Sequence, residues 1–541
     1  MESKEASMED YLHWFWLLFS FFVLLFVLKL VVLLWWRPRK IEKHFYKQGI
    51  KGPPYHFLAG NKKELVGLML KASSQPMPLS HNIVPRVLSF YHHWKKIYGA
   101  TFLIWFGPTA RLTISDPVLI RETFKSELYE KSESHPLVRK LEGDGLLTLQ
   151  GEKWAHHRKI ISPTFHMENL KIMIPMMEKC VVAMLDKWST MSKSGKVEIE
   201  VSKWFQTLTE EILTRTAFGS SYEDGKAIFQ LQAQQMVYAI GSFQEVLIPG
   251  YRFLPTKKNR SSWKLDKEIR ASLMKLIERR RENSCDDMSS RRPKDLLELM
   301  IKASAREESE IRSNSSSSSS SPTITIDDII EECKSFFFAG KYTTANLLTW
   351  TTILLAMHPR WQELAREEVV RVCGARDIPR KDDVARFKTL SMIIYESLRL
   401  YPPAVATVRQ AKVDVQLGGC KIPRLTELLI PIVAVHHDPG LWGHDATEFN
   451  PARFSQGAAR AAKHPAAFIP FGLGDRRCMG QNLAILQAKL AIAMILQRFS
   501  FDLAPSYQHA PTVLMLLYPA YGAPIIFRKL SNPTNQHDHG S

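Results

Sequence analysis

The N-terminal run from Tyr11 to Trp36 constrains this chain most, because almost every side chain in it is apolar. About 20 consecutive apolar residues are enough for a helix to cross the hydrocarbon core of a bilayer. Only Lys29 is certain to be charged at neutral pH, and it lies near the C-terminal end, where its ammonium group can reach the interface. We therefore expect a single N-terminal transmembrane helix.

The charges on either side of this run predict its orientation. Residues 2–10 carry four acids and one base, whereas residues 37–51 carry six bases and one acid. Basic flanks stay on the cytosolic side of a membrane, so everything after residue 36 is expected in the cytosol. A cleaved signal peptide would need a basic start, a shorter apolar core and a small-residue cleavage site, and this sequence has none of the three.

Composition divides the rest of the chain into a linker and one large domain. Residues 37–60 are basic and rich in proline and glycine, which favours a stiff connection between membrane and globule. Residues 61–541 are expected to form one large globular domain, since the chain as a whole has a globular composition, 45% hydrophobic and 23% charged. Within it, the serine-rich stretch 313–322 has no apolar surface to bury and predicts a flexible loop.

The spacing of apolar residues predicts a mainly α fold with a small β region. A period near 3.6 residues indicates helices over 166–190, 200–217, 262–283, 325–357, 383–400 and 480–499. Alternating apolar residues around a glycine turn indicate two β-hairpins, over 101–115 and 412–423.

Charge and cysteine content narrow the function further. The formal net charge of +18 favours acidic partners, such as an anionic membrane surface or an acidic protein. We expect no nucleic acid partner, because no zinc-finger or RNA-binding signature accompanies the charge. The six cysteines form no CxxC pair and no zinc spacing, which is typical of free thiols in a reducing compartment.

The segment around Cys478 carries the strongest chemical signal. Arg476 and Arg477 precede the cysteine, and an apolar helix pattern begins directly behind it, at about Gly480. Positive charge and a helix N-terminus both lower the pKa of a thiol and so favour the metal-binding thiolate. A lone cysteine before a helix is also a common small apolar residue of a core. The local pattern alone leaves both interpretations open.

Several motifs, taken in order, resemble those of cytochromes P450. The segment FGLGDRRCMG (471–480) is similar to the haem-binding signature of that family. ESLR supplies the pair Glu396 and Arg399, FNPARF supplies Arg453, and AGKYTT (339–344) is similar to the oxygen-activation segment of the central helix. The resemblance covers the whole chain. It implies the cytochrome P450 fold, mainly helical with a small β region, behind a single membrane helix.

The resemblance also implies which residues bind the cofactor, haem b. Cys478 is the expected axial ligand of the iron, and the arginines and tryptophan are expected to bind the haem propionates. The cofactor-binding residues implied are Trp154, Arg158, Arg409, Arg476 and Cys478. Glu396, Arg399 and Arg453 are expected to form a buried structural cluster that holds the loop before the cysteine. His156 and His157 are interpreted as solvated or packed.

Thr343 is the catalytic residue that the resemblance implies. At this position of the central helix the family uses a threonine to relay protons to dioxygen. The Ala339–Gly340 pair marks a place where the hydrogen-bond ladder of the helix can open. Tyr342 departs from the family pattern, which has an acid there. Because a tyrosine with an ordinary pKa near 10 is a poor proton shuttle, either water and Thr343 suffice or electrons couple less tightly to product.

The activity implied is that of a haem-thiolate monooxygenase in the endoplasmic reticulum membrane. It would use O2, a lipophilic substrate and electrons from NADPH delivered by NADPH-cytochrome P450 reductase. Basic residues near the haem loop fit the docking of such an acidic reductase, and others fit anionic membrane lipid. The basic residues considered for reductase docking are Lys153, Arg158, Lys159 and Arg477.

Three stretches, 51–61, 141–171 and 401–409, are similar to the plant clan that holds brassinosteroid-inactivating hydroxylases. This likeness implies hydroxylation of a steroid side chain at C-26. Alternatives are a monooxygenase of another plant hormone, a terpenoid or a fatty acid, and a non-catalytic haem- or steroid-binding protein. The expected apolar substrate pocket is lined by 135–149, 228–253, 403–408 and 514–518.

Overall fold

Helices make up most of the structure, as the apolar periodicity predicts. The computed structural model describes residues 2–192, 195–219, 222–242, 253–285, 295–313, 323–374, 376 and 378–530. Of the predicted serine-rich loop, residues 314–322 lie outside this description. The α-helices of the described chain are α1 Glu2–Val31, α2 Arg37–Tyr46, α3 Lys62–Ser73, α4 Val84–Val87, α5 Ser89–Tyr98, α6 Pro117–Lys125, α7 Pro136–Glu142, α8 Gly151–Ile161, α9 Met167–Met191, α10 Val201–Ala217, α11 Tyr222–Ser242, α12 Lys257–Cys285, α13 Leu296–Ser313, α14 Ile326–Met357, α15 Pro359–Cys373, α16 Asp383–Arg386, α17 Lys388–Leu400, α18 Ile432–His436, α19 Pro439–Trp442 and α20 Gln481–Arg498.

Five of the six helices predicted from periodicity are confirmed as α9, α10, α12, α14 and α20. The sixth, over 383–400, is divided at Phe387 into α16 and α17. The physical reason is the carboxylate of Glu368 on α15. It accepts hydrogen bonds from the first three backbone N–H groups of α17, at 2.8–3.0 Å, and so fixes a helix start inside the continuous apolar pattern.

The central helix α14 begins at the predicted cap. The Thr325 hydroxyl accepts from the backbone N–H of Asp328 at 3.2 Å, and the Asp328 carboxylate accepts from the backbone N–H of Thr325 at 3.0 Å. This reciprocal capping box satisfies two N–H groups that the helix itself leaves free. The helix ends before Pro359, the first residue of α15. Most of its side chains are buried, so α14 forms the axis of the domain.

The strands are short and form a minor part of the fold. Both predicted hairpins are confirmed, as the antiparallel pairs β1–β2 and β6–β7. A mixed sheet has the order β1-β2-β8-β5-β3, in which β2 and β8 run parallel, and a second sheet has the order β4-β12-β9. The strands described are β1 Leu103–Phe106, β2 Thr109–Thr113, β3 Tyr129–Lys131, β4 Lys196–Glu200, β5 Thr407–Ala411, β6 Val415–Leu417, β7 Cys420–Ile422, β8 Glu427–Ile430, β9 Phe499–Leu503, β10 Pro511–Val513, β11 Leu517–Pro519 and β12 Pro524–Lys529.

The N-terminal apolar run is helical and forms a single-pass membrane anchor. Its apolar side chains from Tyr11 onward are largely exposed, as a lipid-facing helix requires. A π-helical turn over Val32–Trp36 joins α1 to α2, so helical backbone continues into the stretch that composition assigns to the linker. Phe45 on α2 is fully buried and packs in the cluster that contains β1 and β2. Helix α2, which continues the anchor, is therefore packed against the domain.

Candidate active site

A cavity of about 420 Å³ lies among α8, the middle of α14, the start of α20 and strand β5. Leucine and phenylalanine are the commonest residues of its apolar walls, which also carry one thiol, several hydroxyls and several basic groups. The structure brings together all the residues proposed for cofactor binding and catalysis. Those that line this cavity are Trp154, Arg158, Thr343, Arg409, Arg476 and Cys478.

The loop over 471–480 presents the Cys478 sulfur to this cavity. The backbone N–H of Cys478 donates to the carbonyl of Phe471 at 2.8 Å, which closes the loop. Gly474 has φ +66°, and a Cβ there would lie 2.4 Å from the Phe124 carbonyl oxygen, so a side chain is excluded. Gly480 caps α20, within one residue of the predicted helix start. Like the other cysteines whose side chains are described, Cys478 is a free thiol.

Burial and positive charge act in opposite directions on the free thiol. Burial raises the pKa of Cys478, while the Gly480 backbone N–H and the charges of Arg158 and Arg477 lower it. Both lowering effects that the sequence predicts are present, and in the thiol without a metal the effect of burial outweighs them. A metal cation on the sulfur supplies the missing stabilisation of the thiolate.

Three arginines give the cavity positive charge without a matching carboxylate. The Arg476 guanidinium lies 4.3 Å from the Trp154 ring centroid, and that of Arg158 lies 5.7 Å from it. Arg409 donates to the Thr407 hydroxyl at 3.1 Å, and burial together with Arg476 lowers its pKa to about 10. None of the three forms an ion pair within the described ranges. Such a group of cations favours an anionic ligand.

This donor set fits a haem. Nowhere in the described chain do three or more His, Cys, Asp or Glu side chains converge to hold a metal ion. A metal bound by Cys478 here would suit a cofactor that brings its own ligands, as a porphyrin does. The apolar walls suit the face of a porphyrin, and the unpaired guanidinium groups suit its two propionates.

The α14 wall of the cavity carries Thr343. Its hydroxyl donates to the Ala339 carbonyl at 2.6 Å, and α14 is continuous through this point. The opened turn expected at Ala339–Gly340 is thus not present in the described helix. Gly340 instead allows close packing of α10, since a Cβ at this position would lie 2.9 Å from the Leu213 side chain.

Tyr342 belongs to an apolar cluster beside the cavity. Its ring packs near Phe338, with a centroid distance of 6.3 Å, and the Lys341 ammonium lies 4.5 Å from its centroid. The cluster joins α7, α11 and α14 with the turn between β10 and β11. Its members are Val138, Leu141, Ala239 and Phe338, with Leu147, Met236, Tyr342 and Met515 packed against them.

Two of the four segments expected to line the substrate pocket line the cysteine cavity. Residues 135–149 contribute Leu146 and Leu147, and residues 403–408 contribute three more. The described parts of 228–253 and 514–518 do not line this cavity, but all four segments line an adjoining one of about 1410 Å³, as expected for the substrate pocket. Residues of 228–253 and 514–518 also pack in the Tyr342 cluster. The two cavities adjoin, because Lys131 and Thr407 line both.

Sequence reasoning missed a clamp that holds the loop over 142–148 on α14. The Glu332 carboxylate accepts from the Leu146 backbone N–H at 3.0 Å and lies 2.7 Å from His157 Nδ1, and both side chains of that pair are fully buried. The neighbouring Glu331 accepts from the Asp144 backbone N–H at 2.8 Å. These partners are about 180 positions apart in the chain, so no local motif marks them.

Glu396, Arg399 and Arg453 form one buried cluster behind the cysteine loop. Arg399 donates to both Glu396 oxygens at 2.7 Å, and Arg453 donates to one of them at 3.1 Å. Arg399 also donates to the His436 carbonyl at 2.9 Å. The His436 ring in turn accepts from the Ile469 backbone N–H at 3.0 Å. The cluster is thus connected to the chain that enters the cysteine loop.

Comparison with known proteins gives consistent matches along the chain. The family model for cytochrome P450 matches residues 75–523. Among curated relatives, cytochrome P450 734A1 of Arabidopsis thaliana is 67% identical over 95% of this chain and 97% of its own length. Cytochrome P450 734A6 of Oryza sativa subsp. japonica is 61% identical over 93% and 94%. Cytochrome P450 CYP72A616 of Paris polyphylla is 44% identical over 92% and 95%.

Proposed function

Because the chain belongs to the cytochrome P450 family, as a membrane-anchored haem-iron monooxygenase of the 734A type, we propose that it inactivates brassinosteroids by hydroxylation at C-26. The observation that carries the proposal is the apolar cavity that holds Cys478 and Thr343 together. Burying a hydrocarbon skeleton there is favourable by about 0.8 kcal/mol per methylene. The sequence likeness at 51–61, 141–171 and 401–409 favours a steroid over other lipophilic substrates.

The proposed roles of the cavity residues are consistent with their positions around it. The Cys478 sulfur holds the iron of haem b, which supplies oxygen activation when bound. Arg158, Arg409 and Arg476 hold the two propionates, and the Trp154 indole, between two of these arginines, orients them. The arginines also neutralise the charge of the propionates.

Thr343 relays the two protons that are consumed when one O2 gives the hydroxylated product and water. Its hydroxyl reaches the cavity once it releases the Ala339 carbonyl, and that exchange costs little because one hydrogen bond replaces another. Tyr342 contributes shape rather than acidity, since its ring packs in the apolar cluster. Water and Thr343 together therefore supply the relay.

Electrons reach the site from NADPH-cytochrome P450 reductase at the endoplasmic reticulum surface. Lys159 and Arg477 are exposed and offer cations to an acidic partner, whereas Lys153 is paired with Asp328 at 2.6 Å. Arg158 and Arg477 both line the cavity, but Arg158 is half-buried beside Trp154 and is assigned to the cofactor, whereas Arg477 is exposed. The basic flank after residue 36 keeps the domain cytosolic, where this reductase and NADPH are available.

Product analysis in reductase-containing microsomes tests the substrate. A brassinosteroid with a trideuterated C-26 methyl is incubated with NADPH, in parallel with a gibberellin and a fatty acid. We expect a hydroxylated brassinosteroid that retains two of the three deuterium atoms, and no product from the other two compounds. A product from the gibberellin or fatty acid alone would reject the brassinosteroid. A product with all three deuterium atoms would reject C-26.

A further inference from the structure

A second cleft, of about 640 Å³, lies outside the catalytic domain's core, between α2 and the β6–β7 hairpin. The helix and the hairpin are fixed to one another by polar contacts to the backbone of Lys421. Its carbonyl accepts from Gln48 at 3.0 Å and lies 2.8 Å from the His44 ring nitrogen, and its N–H donates to Gln48 at 2.7 Å. The cleft is therefore preformed.

The cleft lies at the depth of the lipid headgroups. The apolar run ends at Trp36, and a rise of 1.5 Å per residue places Lys40 about 6 Å further along the helix. The headgroup layer is about 5–8 Å thick on each side of the hydrocarbon core. The Lys40 ammonium lies 5.5 Å from the Trp36 ring centroid, and a tryptophan ring favours that interface.

The domain is held at the same depth as the helix. Leu34 is buried, and the Tyr55 hydroxyl donates to its carbonyl at 2.5 Å. Because the globule contacts the last turn of the apolar run, the hairpin on α2 cannot move far from the membrane surface. Both walls of the cleft thus lie where phospholipid phosphates are concentrated.

The charge in the cleft is positive and largely unpaired. Arg37 and Lys40 face it from α2, and Lys421 and Arg424 face it from the hairpin. Among the residues that the structure describes, none of these four has an ion-pair partner. The single lining carboxylate, Asp414, accepts from the Arg424 backbone N–H at 2.6 Å. The remaining lining residues are mainly apolar: Ile41, Val415, Ile422 and Pro423.

We propose that this cleft binds the headgroup of one anionic phospholipid of the cytosolic leaflet. Cations from both walls hold the phosphate, and Arg37 and Arg424 offer it the planar fork that a phosphate prefers. Ile41 and Val415 cover the glycerol and the first methylenes of the acyl chains. The combination of four cations with an apolar floor suits an amphiphile better than a free anion.

The position of the cleft favours a lipid over an acidic protein. At the cytosolic surface an anionic leaflet already attracts each nearby Lys or Arg, and a lipid needs only lateral diffusion to enter. A folded partner would have to displace that layer before it reached Arg37 or Lys40. The bound lipid would then fix the angle between the anchor and the domain.

Native mass spectrometry of the full-length holoprotein tests this assignment. The protein is extracted in mild detergent, incubated with equal amounts of phosphatidylserine and phosphatidylcholine, and the retained lipids are counted. The test variant is Lys421→Gln with Arg424→Gln. Its matched control is Lys43→Gln with Lys47→Gln, which removes the same charge from exposed positions of the same region outside the cleft.

We expect the wild type and the control to retain one phosphatidylserine in preference to phosphatidylcholine. The fraction of protein that retains this lipid should be about tenfold lower in the test variant. Arg37→Gln with Lys40→Gln, on the opposite wall, should give the same loss while the haem spectrum stays intact.

Equal losses in test and control variants would mean diffuse surface attraction and would overturn the site. So would complete displacement of the lipid by inorganic phosphate, or a test variant that loses reductase affinity but keeps its lipid.

Discussion

At the scale of single residues, the buried arginines near the cavity fall into two groups that differ in how their charge is balanced. Arg399 is fully buried and has a carboxylate and several carbonyls as partners. Arg409 is buried with only a hydroxyl and a carbonyl. A buried charge that the protein itself balances depends on its partner, whereas a buried charge left unbalanced is available to a ligand. This difference separates the structural cluster from the cofactor site.

Glu396→Gln should strongly destabilise the domain. It removes the charge that balances two arginines, both buried, and breaking such a pair costs about 3–5 kcal/mol. Urea unfolding of the holoprotein measures the change in free energy. The matched control is Glu363→Gln, which breaks another Glu–Arg pair spaced three apart, on α15, in which the carboxylate is exposed, and should cost less than about 1 kcal/mol. Similar losses in the two variants would contradict the structural role.

Thr343→Ala should uncouple electron use from product formation. The variant should bind haem and substrate, continue to oxidise NADPH, and release hydrogen peroxide in place of product, because the proton relay at the cavity is lost. Parallel assays of NADPH, peroxide and product measure the coupling. Thr349→Ala is the control, since its hydroxyl makes the same helix contact, to the Ala345 carbonyl at 2.7 Å, outside the cavity. Unchanged coupling in Thr343→Ala would exclude the relay.

At the scale of the elements, α14 organises the site by carrying different functions on successive turns. Its middle lines the cavity, and one to three turns earlier Glu331, Glu332 and Ser335 hold the loop over 142–148. That loop brings Leu146 and Leu147 into the cavity wall. A Cβ at Gly145 would lie 2.7 Å from the Glu332 carboxylate, so the glycine is what permits the loop to lie on the helix. The position of α14 therefore determines where Leu146 and Leu147 lie in the cavity wall that faces the substrate.

Glu332→Met should weaken substrate binding more than it weakens haem binding. It leaves the Leu146 N–H and the His157 ring without their acceptor in a buried place, which favours a displaced loop and a KM about tenfold higher. Glu332→Gln should rescue KM, since an amide can accept from Leu146 and donate to His157. Glu307→Met is the control, because Glu307 pairs with His156 away from this loop. A normal KM in Glu332→Met, or a loss of haem that accounts for all its effect, would contradict the positioning role.

The sequence predicts those features of the helices and strands whose causes lie a few residues away in the chain. The cap at Thr325 lies within four residues of its partner, and each hairpin turns at its own glycines, so pattern and propensity predict them. The break at Phe387 depends on a carboxylate about 20 positions away, and the Glu332 clamp joins residues much further apart. Cys478 and Thr343 were identified through motifs, whereas Glu332 has none. Contacts between residues so far apart in the chain can be identified only from the three-dimensional structure.

At the scale of the whole molecule, the domain depends on four histidines that the fold keeps neutral. Burial, with smaller contributions from nearby cationic groups, lowers the pKa of His81, His436 and His437 to about 3 and that of His509 to about 4. His81 lies 2.9 Å from the Tyr401 hydroxyl, and His436 accepts a backbone hydrogen bond. These histidines connect distant parts of the chain, so their protonation affects the entire domain.

The free energy of unfolding should fall as pH drops below about 6.5. In that range these histidines are protonated in the unfolded chain but stay neutral in the folded domain. Each histidine therefore lowers the free energy of unfolding by about 1.4 kcal/mol per pH unit until the pH approaches its folded pKa. Urea unfolding between pH 8 and about pH 5 measures the slope. His437→Asn should make the slope shallower, and His93→Asn, at an exposed position, should not. If the free energy of unfolding did not change over this pH range, these histidines would not be neutral in the fold.

The central claim is that the Cys478 thiolate holds a haem iron in the cavity of α14 and α20. The most direct measurement is the absorption spectrum of the reduced, carbon monoxide-treated holoprotein, compared between Cys478→Ser and Cys333→Ser, which changes a buried thiol elsewhere on α14. The account predicts a thiolate-type band in the wild type and in Cys333→Ser, and its complete loss in Cys478→Ser. A Cys478→Ser protein that kept the thiolate-type band would contradict it.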